Sequence, residues 1–317
     1  MTQPKVVALG GGHGLAATLA ALRKVTSEIT AIVTVADNGG SSGRLREEFP
    51  IFPPGDLRMA LAALCSDDEW GRSWAEIMQY RFTSQGPLDG HPVGNLLLAA
   101  LWDRDEDPVA GLDRVGALLK VVGRVLPMAA EPLDIEAEFE LSNGETEIAR
   151  GQIAVAGASG RLRNLTIIPE NPPARIEALS AIAHADWITM GPGSWISSVL
   201  PHLLIPAQRD ALISSKAKKI LLLNLDPHPS QGGDELAGKS PQEHLKLIAK
   251  YAPHLTLSYV IADTSVVQQP ASLEKLVKSF GGRLITADLR QERGSIHHNV
   301  EKLAQLLASV MNETLVG

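Results

Sequence analysis

The chain has 317 residues, 44% hydrophobic and 4% aromatic, with 36 acidic against 29 basic side chains. A formal net charge of -7 excludes the basic stripe of a nucleic-acid-binding protein, so backbone amides and a few arginines would have to hold any anionic ligand. Cys65 is the only cysteine, which excludes an intrachain disulfide and a cysteine metal cluster. We expect a cytoplasmic protein without a membrane span, because no apolar run approaches about 18 residues and the start lacks a signal-peptide pattern.

The first part of the chain alternates short apolar runs with helical spacing. Strands are predicted at Val6 to Leu9 and over residues 29 to 36, with a helix over residues 15 to 25 between them. Further helices are predicted from Asp56, around residues 69 to 82, from Pro92, and over residues 109 to 122. This order is typical of an α/β protein.

Residues 133 to 168 change character, because polar and apolar residues alternate around the hairpin signal Asn143-Gly144. Helices and strands then alternate to the end of the chain, and Ser240 with Glu243 forms a capping box. We therefore predict an α/β fold with a Rossmann-like, mostly parallel sheet, helices on both faces, and a small antiparallel β insert. A single domain of residues 1 to 317 is expected, with the insert at about residues 133 to 168.

A glycine cluster separates the first strand from the first helix. The segment from Gly12 to Ala17 fits the G-x-G-x-x-A form of the dinucleotide fingerprint, in which glycines admit a phosphate to the helix N-terminus. A tight strand-to-helix turn is the alternative. Four glycines within five residues favour phosphate binding, and the candidate contacts are Gly10, Gly11, Gly12, His13 and Gly14.

A polar stretch follows the second strand and raises a second candidate site. Asp37 lies where a dinucleotide fold would place the acid that binds a ribose hydroxyl. The Gly/Ser loop after it is longer than a turn requires, and a solvated loop would not explain three glycines and a serine pair beside an arginine. We predict a second anion cradle formed by Asn38, Gly39, Gly40, Ser41, Ser42 and Arg44.

Other candidate residues lie at further element boundaries. Asp56 begins a helix and is either a ligand contact or only a helix cap. His91 and Asn95 are four residues apart, which places them on one face if the helix has begun at His91. A third small-residue loop follows a strand, where open α/β sheets bind ligands. Its candidates, with the residue that ends the next strand, are Gly191, Gly193, Ser194, Ser197 and Asn224.

The segment from Gly233 to Ser240 satisfies the P-loop pattern, but we interpret it as a chance match. Gly233 does not follow the strand directly. Asp234 and Glu235 would oppose a phosphate, and Ser240 is better explained as a helix cap.

Several segments, in order from residue 10 to about residue 245, together resemble the YvcK-type gluconeogenesis factor family of the CofD-like superfamily. They include "GGGHGLAATLAAL", "AIVTVADNGGSSGRLREE", "PPGDLRMAL", "GHPVGNLLLAAL" and "ADWITMGPGSWISSVLPHLL". The resemblance implies a Rossmann-like fold that binds nucleotides or nucleotide sugars. The YvcK type is similar to a regulator that binds UDP-N-acetylglucosamine and supports cell-wall precursor supply and cell shape. CofD is 2-phospho-L-lactate transferase, which acts on a deazaflavin precursor.

The sequence also departs from the family pattern. Asn38 stands where a second aspartate is usual, Ser197 replaces a threonine, and His202 replaces an asparagine. The final Arg-His-Asp is replaced by His297-His298-Asn299. Loss of the carboxylate at position 38 would weaken a two-acid metal site, and loss of the arginine would weaken a phosphate contact.

The resemblance leaves two main functional hypotheses. In the first, the protein is a non-catalytic regulator that binds a UDP-N-acetylglucosamine-like nucleotide sugar and acts on an enzyme of cell-wall precursor synthesis. It requires no cofactor, and Asp37 and Asp56 are either polar contacts or ligands of a Mg²⁺ ion that accompanies the nucleotide. In the second, it is a CofD-like transferase in which Asp37 and Asp56 hold Mg²⁺ against a diphosphate. An NAD-type binder is a third, weaker hypothesis. No nucleic acid or membrane is expected as a partner, and a homo-oligomer is left open.

Overall fold

A computed structural model describes residues 3–105, 107–158, 160–225 and 240–313. Its strands are β1 (Val6–Gly10), β2 (Ile29–Val33), β3 (Arg124–Pro127), β4 (Asp134–Glu140), β5 (Thr146–Arg150), β6 (Arg161–Ile168), β7 (Trp187–Met190), β8 (Lys218–Leu222), β9 (Tyr259–Asp263) and β10 (Arg283–Ala287). Seven of them form a parallel sheet in the order β10-β9-β8-β7-β1-β2-β3. The predicted α/β fold class is confirmed.

The helices alternate with the strands of the main sheet. They are α1 (Gly12–Leu22), α2 (Gly40–Glu48), α3 (Pro54–Ala63), α4 (Glu69–Gln79), α5 (Val93–Arg104), α6 (Pro108–Leu119), α7 (Gln152–Gly157), α8 (Ile176–His184), α9 (Pro201–Leu204), α10 (Pro206–Ser214), α11 (Pro241–Tyr251), α12 (Pro270–Ser279) and α13 (Val300–Glu313). Trp195–Val199 forms a π-helical turn and Thr264–Val266 a 3₁₀ turn. The predicted Ser240–Glu243 capping box at α11 is present.

The central strands are buried along their whole length. All five residues of β1 are buried, as are all four of β7, so neither strand shows the alternation of a half-solvated sheet. Such continuous burial is expected when helices cover both faces of a parallel sheet. Within the described ranges, no helix is long and apolar enough to cross a membrane.

The strand order reverses beside β1, because strands are added first on one side of β1 and then on the other, and this reversal positions the site. From β1 the chain proceeds to β2 and β3 on one side, whereas β7 pairs with β1 on the other side and leads to β8, β9 and β10. The carboxyl ends of β1 and β7 are therefore adjacent at a topological switch point. Open α/β sheets bind ligands in the crevice at this point.

The predicted antiparallel insert is a second sheet in the order β5-β4-β6, packed with α7. Along β4 the residues alternate between half-buried and buried, so one face covers a core. Gly144, in the loop between β4 and β5, has φ of +85°, a conformation that favours glycine.

The structure differs from the sequence predictions in three places. The stretch expected to form a loop begins helix α2 at Gly40, with Gly39 as its N-cap. The second strand stops pairing at Val33, although residues 34 to 36 remain buried. Strand β3 and helix α10 were not predicted, because four-residue and proline-led segments carry little periodicity. The P-loop match, from Gly233 to Lys239, lies outside the described residues.

Candidate functional site

The first and third small-residue loops pack against each other at the switch point. A β-carbon on Gly14 would lie 2.2 Å from the carbonyl oxygen of Pro192, so only glycine fits at this position. Asn224 stabilises the third loop, because its Nδ2 donates to the carbonyl of Gly193 and its Oδ1 accepts from the Gly193 amide, both at 3.0 Å. The structure therefore brings together the predicted residues from β1, β7 and β8.

Asp56 lies directly against the first glycine loop. A β-carbon on Gly11 would be 2.3 Å from Asp56 Oδ2, and the Gly12 amide donates a hydrogen bond to the Asp56 carboxylate. Pro53 occupies the N-cap position of α3, so Asp56 is not the helix cap that the sequence left as an alternative. Its carboxylate instead faces the loop that was predicted to bind phosphate.

Asp37 and Asp56 form a pair of interacting carboxylates. Burial, followed by the charge of Asp37, raises the pKa of Asp56 to about 7, although the Gly12 amide and Arg58 oppose this shift. Burial also raises the pKa of Asp37, against the hydrogen bonds from Gly39 and Ser42 and the charge of Arg46. The Gly39 amide donates to Asp37 Oδ1 at 2.8 Å. Bringing both carboxylates to full charge therefore costs free energy that a cation would offset.

Asn38 contacts the antiparallel insert. Its Oδ1 accepts from the backbone amide of Gln152 at 2.8 Å, at the start of α7. Gly151, just before that helix, has φ of +83°, and a β-carbon there would lie 2.0 Å from Asn38 Nδ2. Asn38 thus fastens the insert to the polar stretch after β2, and the insert forms one wall of the site.

The predicted second anion cradle is the first turn of α2, and its hydroxyls contact neighbouring helices. Ser42 Oγ accepts from the Gly55 amide at 3.0 Å, and Ser41 Oγ accepts from Asn95 Nδ2 at 3.0 Å. Arg44 Nη1 donates to the carbonyl oxygens of Pro87, at 2.9 Å, and of Asp89, at 3.3 Å. Arg44 therefore holds the segment between α4 and α5 beside the site.

Positive side chains surround the entrance. The pKa of His13 is lowered by burial and then by the charges of His297, Arg58 and Arg81. These groups come from α1, α3, the segment after α4 and the segment after β10, so the fold gathers them at one place. The only signal for Arg58 in the sequence is its place two residues after Asp56, and Arg81 has no local signal beyond the segment "YRF".

Residues behind the loops fix their geometry. Thr34 Oγ1 donates to the Ser197 carbonyl at 3.0 Å, and Ser194 Oγ accepts from the Ser197 amide at 3.3 Å. His202 is buried, with Nε2 3.4 Å from the Gly10 carbonyl, and burial lowers its pKa to about 4. Neutral His202 therefore supports the backbone at the end of β1.

Asp37 and Asp56 are better suited to a Mg²⁺ ion that also binds phosphate and water than to a metal ion that is held by protein groups alone. Among the residues that the structure describes, no group of three or more His, Cys, Asp or Glu side chains is placed to hold a metal ion. Mg²⁺ commonly binds through one or two carboxylates together with phosphate oxygens and water. Asp37 and Asp56, facing a loop rich in amides, match that pattern.

Comparison with known proteins places this geometry in a family context. The pattern of the family described as 2-phospho-L-lactate transferase CofD matches residues 6–316. A Mycobacterium leprae protein, provisionally named a gluconeogenesis factor, is 46% identical over 97% of this chain and 86% of its own length. The gluconeogenesis factor of Listeria monocytogenes is 35% identical over 99% of this chain and 98% of its own length. A crystal structure of a UPF0052-family protein from Bacillus halodurans superposes with a TM-score of 0.83 at 31% identity, covering 97% of this chain and 99% of that one.

Proposed function

Because the chain belongs to the CofD family and has gluconeogenesis factors among its relatives, we propose that it is a regulatory protein that binds a nucleotide sugar of the UDP-N-acetylglucosamine type. In this proposal the amount of bound nucleotide sugar follows the supply of cell-wall precursor. The protein with its ligand bound then acts on an enzyme of cell-wall synthesis. The protein would thereby support cell-wall precursor supply and cell shape.

One observation carries the proposal: an amide-rich glycine loop faces two carboxylates at the switch point of the sheet. The Gly12 amide donates to Asp56, and the N-terminus of α1 directs its first backbone amides towards a phosphate, as in other strand–loop–helix anion sites. Gly11 and Gly14 leave no room for side chains between this loop, Asp56 and the third loop. A β-carbon on Gly12 would have only Asp56 Oδ1 within 4 Å, at 3.8 Å, so a diphosphate could approach the backbone there, while Mg²⁺ on Asp37 and Asp56 would neutralise its charge.

A transferase of the CofD kind is the second candidate function. The buried carboxylate pair of Asp37 and Asp56 supports it, because carboxylate oxygens beside a phosphate-binding loop are ligands that Mg²⁺ prefers. Mg²⁺ would supply charge neutralisation at a diphosphate leaving group. Asn38, bonded to the insert, adds no third carboxylate to this centre.

A thermal-shift comparison separates the two candidates. A ligand that binds only the folded state stabilises it by about 2.7 kcal/mol at a hundredfold excess over Kd, which raises the Tm of a domain this large by several degrees. We expect UDP-N-acetylglucosamine to give such a shift and a deazaflavin precursor to give none. UDP alone serves as the control for the contribution of the sugar.

Two results with the same samples would contradict the proposal. Transfer of the phospholactyl group from an activated phospholactate to the deazaflavin precursor, by purified protein with Mg²⁺, would show that the protein is a transferase and not only a regulator. The absence of a shift with UDP-sugars up to millimolar concentration would remove the nucleotide sugar from the proposal.

A further inference from the structure

Two buried polar side chains lie behind the glycine loop, where no ligand reaches them. His202 on α9 and Gln208 on α10 expose 1% and 0% of their surface. Gln208 Nε2 lies 2.8 Å from His202 Nδ1 and 3.2 Å from the His202 carbonyl oxygen. On the other side of the ring, His202 Nε2 lies 3.4 Å from the Gly10 carbonyl oxygen at the end of β1. Gln208, His202 and Gly10 therefore form a buried chain of polar contacts.

These contacts determine which ring nitrogen of His202 carries the proton. A carbonyl oxygen only accepts hydrogen bonds, so the part of the Gln208 amide that faces the His202 carbonyl is its NH₂ group. The same NH₂ group faces Nδ1, which can accept from it only as an unprotonated nitrogen. The ring is neutral, because burial lowers the pKa of His202 to about 4. A neutral imidazole without a proton on Nδ1 carries it on Nε2, so Nε2–H is directed at the Gly10 carbonyl.

The Gly10 carbonyl in turn fixes the first peptide group of the glycine loop. It also accepts a hydrogen bond from the Thr34 amide at 2.9 Å, so its two lone pairs serve Thr34 and His202. The carbonyl of Gly10 and the amide of Gly11 belong to one planar trans peptide group and point in opposite directions. A carbonyl oxygen that is held by two donors therefore fixes the direction of the Gly11 N–H, away from both of them.

We propose that Gln208 and His202 are positioning residues for the glycine loop. Gln208 holds the His202 proton on Nε2, and Nε2–H holds the Gly10 carbonyl, so that the amides after it keep the orientation that a phosphate needs. Preformed amides bind an anion more tightly than mobile ones, because less ordering accompanies binding. The inference deepens the proposed function and rests on it only in assigning a phosphate to the glycine loop.

Nitrogen-15 NMR of the histidine rings tests the position of the proton without any ligand. Wild-type His202, assigned by the loss of its signals in His202→Gln, should show a protonated Nε2 and an unprotonated Nδ1 from neutral pH down to about pH 5. Gln208→Glu should protonate Nδ1 as well, because a carboxylate there accepts from Nδ1–H and favours the charged ring.

A proton on Nδ1 of the wild-type protein, or a His202 ring that does not respond to Gln208→Glu, would overturn the inference. If Gln208→Glu does not fold by circular dichroism, the wild-type spectrum alone decides the position of the proton.

Calorimetry with UDP-N-acetylglucosamine and Mg²⁺ tests the effect on the loop. His202→Phe keeps a ring but removes the donor, and should weaken binding about fivefold, as expected for the loss of one neutral hydrogen bond. His202→Gln returns an N–H to the region of Nε2 and should restore most of the affinity. His254→Phe, at an exposed position after α11, should bind like the wild-type protein.

The order of these affinities decides the positioning role. Wild-type affinity in His202→Phe, or an equal loss in His202→Phe and His202→Gln, would show that the Nε2 donor does not position the loop. If UDP-N-acetylglucosamine does not bind the wild-type protein, the nucleotide proposal fails, and pyrophosphate with Mg²⁺ becomes the probe, with the same expected order of variants. If pyrophosphate does not bind either, the glycine loop holds no phosphate and this inference is refuted as well.

Discussion

Gly12→Val should abolish nucleotide-sugar binding, raising Kd by more than about a hundredfold, because several charge-assisted contacts worth about 1.5–3 kcal/mol each would be lost. Gly12 is the first residue of α1 and has φ of +57°, a conformation that a β-branched residue strongly disfavours. The Gly12 amide also donates to Asp56, so moving the backbone would disturb both the loop and the carboxylate pair.

Isothermal titration calorimetry with UDP-N-acetylglucosamine measures this effect. The strain of a non-glycine residue at positive φ should itself destabilise the protein by about 1–3 kcal/mol, which a matched variant must reproduce. Gly144→Val serves as that control, because Gly144 has φ of +85° and nothing lies within 4 Å of its β-carbon position. We expect Gly144→Val to bind normally. Normal binding by Gly12→Val would show that the glycine loop is only a tight turn and does not bind the phosphates.

Asp56→Asn should change how stability depends on pH. The folded protein holds the Asp56 proton up to about pH 7, whereas the unfolded chain releases it near pH 4. The folded state therefore binds more protons in this window, so the free energy of unfolding of the wild-type protein falls as pH rises from about 4 to about 7. At about 1.4 kcal/mol per pKa unit, the fall attributable to Asp56 is of the order of 4 kcal/mol at most.

Urea unfolding at a series of pH values, without divalent cations, measures this dependence. Asp56→Asn should lose most of the fall, while Asp210→Asn, at an exposed position on α10, should retain it. With UDP-N-acetylglucosamine present, Mg²⁺ should tighten binding to wild-type protein but not to Asp56→Asn. A variant that follows the wild-type pH curve would show that Asp56 is ionised in the folded state and that no charge conflict exists at the site.

The sequence predicted the fold well because the fold depends on repeated, local signals. Continuous apolar strands, helical spacing and the alternation around Asn143-Gly144 each span many residues. The glycine cluster after β1 was also readable, since both its composition and its place between a strand and a helix are local. The structure places the small-residue loops together, as the parallel arrangement of the strands requires.

Other features depend on which elements meet in space and had no local signature. Helix α2 begins with Gly-Ser-Ser-Gly, residues with low helix propensity, and forms where Asn95 and Gly55 bond its serines. Asn38 bonds a segment 114 residues away, so its role could not follow from its neighbours. Arg58 lies in an otherwise ordinary apolar helix, α3, and only its burial distinguishes it.

A crystal structure of the protein grown with UDP-N-acetylglucosamine and Mg²⁺ tests the central claim most directly. We expect the diphosphate to lie against the backbone amides of residues 10 to 14, with the metal ion between the phosphates and the carboxylates of Asp37 and Asp56. Diphosphate density away from this loop, or a well-ordered site without nucleotide at millimolar ligand, would contradict the account.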